Sequence, residues 1–469
     1  MVKLSLATSA LAEILGLEHS GQAVQVTGVS ISAAEVEPGD LFVAIQGAKH
    51  HGLNFLQEAI DNGAVAVLSD RPNQKLPYLI SPDPKALLGE LCNLVLGETH
   101  LELFAVTGTN GKTSTASYLF ELLKNLGQDP GLSGSTGFHT GAKSQASALT
   151  TSELTTTRKF LSEIQKAGGK SAVIEVSAQA LVRNRVSGLK FAVAGFTNLS
   201  RDHMDDFGSM ERYFEAKAAL FDESCAQSAV IFVSDEWAEK LAAHSKIPTL
   251  LVGAGQEVNY HYAGGLLTLS GKINLSIDFE FGELMARNFA LALTMLFSHG
   301  FSVDELRTAS ANISQVPGRV ELVSQARPHT YVDYAHTPDG IASAVAELKA
   351  RYPGVTLVFG ASGNRDVGKR AEMGAAAAAA DQVVVTDQHP RDEDPALIRA
   401  AVIQGLNDAN KSFHEVAGPE QALRFALGIT PHDHALLWCG PGHLKYREIA
   451  GTKVPFDARA IAKLAVEQG

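Results

Sequence analysis

The residues with the plainest chemistry stand together in Ala105-Val-Thr-Gly-Thr-Asn-Gly-Lys-Thr-Ser114. An apolar run (Leu103, Phe104, Ala105, Val106) leads into Gly108, Thr109, Asn110, Gly111 and Lys112, and a helical pattern (Ala116, Leu119, Leu122, Leu123) begins at Thr113. That order predicts strand, glycine-rich loop, helix. Such a loop turns backbone N–H groups toward phosphate oxygens, and the helix N-terminus adds partial positive charge. Lys112 is placed to meet terminal phosphates, and the Thr113 hydroxyl, followed by Ser114, to ligate Mg²⁺. The spacing from Gly108 to Gly111 is shorter than in the general phosphate-loop pattern. An ordinary glycine turn that happens to hold a lysine is the plain alternative. The strand before and the helix after favour nucleotide binding.

Other reactive side chains fall at predicted strand ends, where open α/β sheets collect their ligands. Glu175 closes the run Ala172-Val-Ile-Glu-Val176, and a carboxylate there suits Mg²⁺ better than open solvent. Thr197-Asn-Leu-Ser-Arg-Asp-His-Met-Asp205 places His203 between Asp202 and Asp205, which favours a metal or phosphate role over a structural histidine. Lys217, in Tyr213-Phe-Glu-Ala-Lys217, reads by itself as a solvated surface lysine. Three later loops, Asp333-Tyr-Ala-His-Thr-Pro338, Gly360-Ala-Ser-Gly-Asn-Arg-Asp366 with Lys369 and Arg370 behind it, and Asp387-Gln-His-Pro-Arg391, suggest one rim of a cleft for anionic groups.

These loops need a scaffold, and its outline is legible. Residues 1–98 read as a small α/β unit, with strands at Leu41-Phe-Val-Ala-Ile45 and Ala64-Val-Ala-Val-Leu68 and a helix from Phe55 to Gly63. Residues 99–315 alternate strand and helix around the phosphate loop, which predicts a mostly parallel, doubly wound sheet. Strands are expected at 172–176, 193–197 and 229–233, with a helix over 285–297. Residues 316–469 form a third, Rossmann-like unit with strands at 330–332, 355–359, 382–385 and 435–438. The alanine run 375–380 reads as a close-packed helix face.

Bulk properties exclude several classes. A chain of 469 residues has room for three domains, and a net charge of −12 with no basic cluster argues against a nucleic-acid surface. Cys92, Cys225 and Cys439 lack metal-ligand spacing and read as buried small hydrophobes in a reducing compartment. The apolar stretch around 4–17 is broken by Glu13 and suits an amphipathic helix better than a signal peptide. No run approaches the roughly 20 apolar residues of a membrane span. A cytoplasmic, monomeric enzyme of small molecules is expected, with no membrane or nucleic-acid partner.

Taken in order, these motifs resemble the Mur ligase family, most closely its member that adds the third amino acid. The resemblance covers nearly the whole chain and rests on Thr107 to Ser114, Glu175-Val-Ser177, Thr197 to Asp205, Tyr213 to Lys217, Pro317-Gly-Arg319, Val332 to Pro338, Gly363-Asn-Arg-Asp366, Gly368-Lys-Arg370 and Pro390-Arg391 before Glu393-Asp-Pro395. It implies a three-domain ligase that uses ATP and Mg²⁺ to turn a UDP-N-acetylmuramoyl-dipeptide carboxylate into an acyl phosphate, which an amino acid then attacks. It implies that Lys112 and Thr113 serve the phosphates and the first Mg²⁺ with Glu175. His203 and Lys217, the latter carbamylated, would serve a second metal ion, and Arg319 would cross to the γ-phosphate. Asn288 matches an adenine contact, and Asp333 and His336 match nucleoside contacts. Thr150, Thr151, Ser177 and Arg185 match positions that hold the peptidyl end of the UDP substrate. Arg365, His389, Arg391, Gly440 and Leu444 fall at the amino-acid site.

The chain departs from the family pattern at both outer sites. The uridine-side Asp-Ser-Arg is replaced by Ser32, Ala33 and Ala34, and the usual Thr-Thr-Pro is Thr150-Thr151-Ser152. Gln179 stands for a usual histidine, and of two usual adenine-side asparagines only Asn288 remains, after Leu284-Met285. The diaminopimelate signature Asp-Asn-Pro-Arg becomes Gln388-His389-Pro390-Arg391, and Gly-Lys-Gly-His-Glu becomes Gly440-Pro441-Gly442-His443-Leu444. Leu444 cannot pair with a distal ammonium, whose burial unpaired would cost roughly several kcal/mol. The expected acceptor therefore carries a carboxylate and an apolar or uncharged distal end, and is not meso-diaminopimelate. A paralogue acting on a carboxylate without UDP, a non-catalytic ATP-binding subunit and a folate-type polyglutamate ligase are the competing readings.

Overall fold

Strand runs with both faces apolar have to be covered on both sides, and the chain answers with helices on each face of three consecutive sheets. The computed structural model describes residues 5–47, 49–141, 143–147 and 149–468. The first sheet runs in the order Glu18–Ser20, Tyr78–Ile80, Ala66–Ser69, Asp40–Ala44, Gly28–Ser30, with all but its first pairing parallel. The third runs Glu321–Ser324, His329–Asp333, Ala435–Cys439, Val355–Phe359, Gln382–Val385, His414–Glu415, and only its first pair is antiparallel.

The middle sheet positions the chemistry. Its parallel centre is ordered Gly131–Gly134, Ser171–Glu175, Glu102–Thr107, Phe191–Phe196, Ala226–Phe232, Thr249–Gly253, Val258–Ala263. The chain leaves Glu102–Thr107 toward one edge and later returns to build the other, so the strand order reverses beside it. Crevices at such reversals, past the carboxyl ends of the strands, are where α/β sheets bind ligands. The helices Lys112–Asn125 and Glu283–His299 pack together over this sheet, burying Leu119, Leu122, Phe289 and Leu293.

Several expectations shift. The middle sheet carries antiparallel hairpin strands at both edges, Gly137–His139 with Ser144–Gln145 and Leu266–Gly271 with Leu275–Asp278, beyond the strands expected from the sequence. The alternation of the second hairpin, and the short polar Ser144–Gln145 strand of the first, are weaker signals than the continuous apolar runs of the centre. The helix expected from Phe55 is Leu56–Asp61, entered through a tighter turn at Gly52–Phe55. The amphipathic stretch near the N-terminus is helical over Thr8–Leu15 and closes at Gly16, while Leu4 lies outside the described residues. The alanine run does not stay helical to Ala380, because the helix Lys369–Ala377 ends in a turn. Cys92 and Cys439 are buried as expected, but Cys225 is only half-buried beside the turn at Asp222. No helix among the described residues is long and apolar enough to cross a membrane.

The first unit docks on the helix Leu154–Lys166 of the second. Lys159 donates to the buried Asp40 carboxylate at 2.8 Å, and Arg158 donates to Asn93 and to the Gly97 carbonyl, each at 2.7 Å. In the third unit, Lys369–Ala377 packs so closely on Pro395–Asp408 that a Cβ at Gly405 would stand 1.7 Å from the Ala371 carbonyl oxygen. Gly405→Ala would gain about 1 kcal/mol of helix propensity, but it must push this contact apart. A net destabilisation of about 1–3 kcal/mol is expected, read as a lowered urea midpoint at unchanged m-value.

Candidate active site

The phosphate loop is shaped by its neighbours. Gly108 and Gly111 have φ of +147° and +85°, and the 197–198 segment lies against the loop. Thr109 N–H donates to the Asn198 carbonyl at 2.9 Å, Asn110 N–H to Asn198 Oδ1 at 3.0 Å, and Thr197 Oγ1 to the Asn110 carbonyl at 2.6 Å. A side chain at Gly108 would collide with Thr197 Oγ1 at 1.8 Å. The first intrahelical bond runs from Thr115 to Gly111, so the Lys112, Thr113 and Ser114 N–H groups have no partner within the helix, and all three residues line the cleft. Lys112 folds back along the loop and donates to the Gly108 and Thr109 carbonyls at 2.8 and 2.9 Å.

Behind the loop a ring of hydrogen bonds closes around Glu175, which is 0 % exposed. Thr113 Oγ1 donates to Glu175 Oε2 at 3.0 Å, and the Ser135 N–H donates to Oε1 at 3.0 Å. Arg319 reaches over from the third unit, donating through Nη2 to Thr113 Oγ1 at 3.0 Å with its guanidinium 4.4 Å over the Tyr334 ring. Its Nη1 lies 3.4 Å from His443 Nδ1, and His443 Nε2 stands 3.1 Å from the Ser135 carbonyl. Burial, then the Arg319 charge, pushes the His443 pKa down to about 3, so the ring is neutral. Nε2 then carries the proton given to Ser135, and Nδ1 accepts from Arg319. Burial raises the Glu175 pKa, and Lys112 and Arg319 oppose that rise.

Lys217 is no surface lysine. It is 1 % exposed, its Nζ donates to the Gly108 carbonyl at 2.8 Å, and it lies 4.5 Å over the Tyr213 ring. Burial, reinforced by the Lys112 charge, drives its pKa well below the ordinary lysine value. His203 has φ of +57° and stands 3.4 Å from Asp202 and 3.8 Å from Asp206. Its ring nitrogen and the Asp205 and Asp206 carboxylates lie within 4.8 Å of one another. Asp202 is buried and ties the second unit to the third, with Lys369 Nζ at 3.0 Å and His336 Nε2 at 4.0 Å. Burial works against its charge, but His203, His336 and Lys369 outweigh burial and hold its carboxyl well below the usual range.

The remaining predicted residues divide. Thr151 donates to the Glu175 carbonyl at 2.8 Å, and Ser177 caps the helix Ala178–Val182 beside it. Arg185 donates to the Thr151 carbonyl and pairs with Glu153 at 2.7 Å, and Thr150 lies 3.1 Å from the Ser135 hydroxyl. These line the same cleft of about 820 Å³ as the phosphate loop, and so do Arg365, His389, Arg391, Gly440 and Leu444. Asn288 also lines it, but its amide donates to Leu284 of its own helix at 2.9 Å. Asp333 spends both oxygens on the Val320 and Ala335 N–H groups, which gives it a backbone-holding part. Arg391 is engaged by Glu448, with Nε 3.1 Å from its carboxylate. The sequence reading passed over Glu448, Ser135 and the Asp202–Lys369 pair. No short motif surrounds Glu448 or Ser135, and Asp202 and Lys369 lie in separate motifs that only folding brings together.

The hydroxyl of Thr113 and the carboxylate of Glu175 are hard oxygen donors 3.0 Å apart beside a helix start, a set that fits Mg²⁺ with a polyphosphate. Fold and site together define a three-domain α/β phosphate-loop protein in which an arginine of the third domain reaches the loop of the second. Three family models match along its length: "Mur ligase family, catalytic domain" over residues 25–91, "Mur ligase middle domain" over 106–294, and "Mur ligase, glutamate ligase domain" over 318–442. The UDP-N-acetylmuramyl-tripeptide synthetase of Leifsonia xyli subsp. xyli (strain CTCB07) is 40 % identical, across 98 % of this chain and 95 % of its own. The UDP-N-acetylmuramoyl-L-alanyl-D-glutamate–2,6-diaminopimelate ligase of Aquifex aeolicus (strain VF5) is 32 % identical, across 96 % of each chain. A solved structure of a ligase with the latter name superposes with a TM-score of 0.67 at 27 % identity, covering 99 % of each chain. The chain belongs to the Mur ligase family, and it is an ATP-dependent acid–amino-acid ligase.

His389, in the lining of the cleft, supplies a pH test. It is buried and accepts the Glu448 N–H at 3.1 Å, and burial followed by the Arg391 and Arg447 charges pushes its pKa down to about 4. The unfolded chain takes up this proton near pH 6.5 while the fold refuses it, so the stability it contributes is present above about pH 6.5 and lost as pH falls toward 4. The urea midpoint should fall between pH 7 and pH 5, and His389→Asn should shrink that fall. An equal fall in the variant would contradict this assignment.

Proposed function

We propose that this ligase joins an amino acid to the terminal carboxylate of a UDP-N-acetylmuramoyl-dipeptide in peptidoglycan synthesis, releasing ADP and phosphate. The observation that carries the reading is the Arg319–Thr113–Glu175 arrangement, in which a cation from the third domain meets the hydroxyl–carboxylate pair of the second. A carboxylate at neutral pH is a poor electrophile. Transfer of the γ-phosphoryl group makes it an acyl phosphate, the amine then adds to its carbonyl carbon, and phosphate leaves from the tetrahedral intermediate. Lys112 and Arg319 offset the charge that gathers on the phosphoryl oxygens, in a cleft closed to bulk water on the Glu175 side. Thr113 and Glu175 would hold Mg²⁺, which when bound screens the repulsion between the triphosphate and the carboxylate.

Lys217 fits a further part. Its burial favours the neutral amine, which can add carbon dioxide and lose a proton to become a carbamate, an anion that with His203 would hold a second Mg²⁺. Thr150, Thr151, Ser177 and Arg185 line the wall nearest Glu175 and are assigned to the peptidyl end of the muramoyl substrate. Full-length likeness to muramoyl ligases supports the UDP-linked substrate although Ser32, Ala33 and Ala34 lack the family's uridine signature.

The acceptor is assigned one carboxylate and an uncharged side chain. Arg365 is exposed at the cleft rim and available to the carboxylate, whereas Arg391 already has Glu448 as its partner. Leu444 and Gln388 present no charge to a distal ammonium. Phosphate release with UDP-N-acetylmuramoyl-L-alanyl-D-glutamate should therefore be fastest with amino acids of that kind, and selective turnover of meso-diaminopimelate would overturn the assignment. Leu444→Glu should raise turnover of diaminopimelate relative to the wild type. Lys112→Ala should lower phosphate release by about 10²–10³-fold or more, and unchanged release would remove the whole mechanism.

A further inference from the structure

Arg319 is delivered to Thr113 by the turn Val316-Pro-Gly-Arg319, and this turn is strained. Val320, a β-branched residue, has φ of +41°, and Gly318 has φ of +65° where a Cβ would lie 2.2 Å from the His443 nitrogen. A β-branched residue in the left-handed region keeps that conformation only where its surroundings impose it. Two carboxylates do so. Asp333 Oδ2 accepts the Val320 N–H at 2.8 Å, and Glu321 Oε2 accepts the Gly318 N–H at 2.7 Å. Glu321 is in turn gripped by Arg459, Nε to Oε2 at 2.5 Å and Nη2 to Oε1 at 2.6 Å. Arg459 stands at the start of the helix Ala458–Gln468, which Ala458, Ala462 and Ala465 anchor in the third domain's core. Neither Glu321 nor Arg459 lines the cleft.

We propose that Glu321 and Arg459 are positioning residues that set the strained turn and so aim Arg319 at the phosphate loop. The planar guanidinium fork of Arg459 fixes the orientation of both Glu321 oxygens, one of which holds the Gly318 N–H. The turn thereby takes its geometry from the helix Ala458–Gln468, through two residues that do not line the cleft. This rests on the reading that Arg319 serves the transferred phosphoryl group.

The test uses the full-length protein and measures phosphate release with ATP, Mg²⁺, UDP-N-acetylmuramoyl-L-alanyl-D-glutamate and a mixture of the common amino acids with diaminopimelate. Arg459→Ala should lower kcat about 10–100-fold through misplacement of Arg319, with KM for ATP within about twofold of wild type. Arg459→Lys should recover part of the loss. In an Arg319→Ala background, Arg459→Ala should cost nothing more, because it acts only through Arg319. A full further loss in that background, or wild-type kcat in Arg459→Ala, overturns the proposal. Glu321→Gln, which keeps the side chain's size, stands in if Arg459→Ala does not fold. Wild-type kcat in Arg319→Ala rejects the underlying reading as well. A slow Arg319→Ala beside unimpaired Arg459→Ala and Glu321→Gln rejects the positioning alone.

Discussion

A carboxylate removed from water keeps its charge only if donors and cations replace the water, and the site is organised by how that demand is met at Glu175. The side chain is fully buried, and burial works to neutralise it. Thr113, Ser135, Lys112 and, through Thr113, Arg319 oppose this from different elements of two domains. Removing one partner from such a buried set typically costs about 3–5 kcal/mol. The same donors that would accompany a metal-bound nucleotide thus also fix the loop, the strand end and the incoming arginine relative to one another.

The same contacts tie the third unit to the second. Arg319, His443 and Lys369 belong to the third unit, yet each finds its partner in the second, at Thr113, the Ser135 carbonyl and Asp202. Asn110 of the phosphate loop also donates to Asp339 at 3.1 Å. Few of these contacts survive if the third unit swings away. Arg319 therefore meets Thr113 only while the second and third units frame the same cleft.

How much of this was legible in the sequence depended on locality. The strand–loop–helix around Lys112 announced itself because its glycines, lysine and apolar flanks are contiguous. Glu175 followed from the rule that parallel sheets present functional groups at strand ends. The central strands were readable because they are apolar on both faces, whereas the edge hairpins were not, the one at 137–145 being short with a wholly exposed outer strand and the one at 266–278 being exposed on one side. Lys217 looked like a surface residue, since nothing local reveals that Tyr213 and the Gly108 carbonyl enclose it. Glu448 was invisible for the same reason. Its meeting with Arg391 depends on a hairpin, Tyr446–Ile449 with Thr452–Pro455, folding back over the loop at 389–391.

The account stands on the claim that Glu175 is held as a buried anion in order to share a divalent cation with Thr113 and nucleotide. Mn²⁺ affinity, read by electron paramagnetic resonance in the presence of ADP, tests this most directly when wild type is compared with Glu175→Gln. The account predicts that the variant binds Mn²⁺ at least about tenfold more weakly while its affinity for metal-free ADP is unchanged. Equal Mn²⁺ affinity in the two proteins would contradict it.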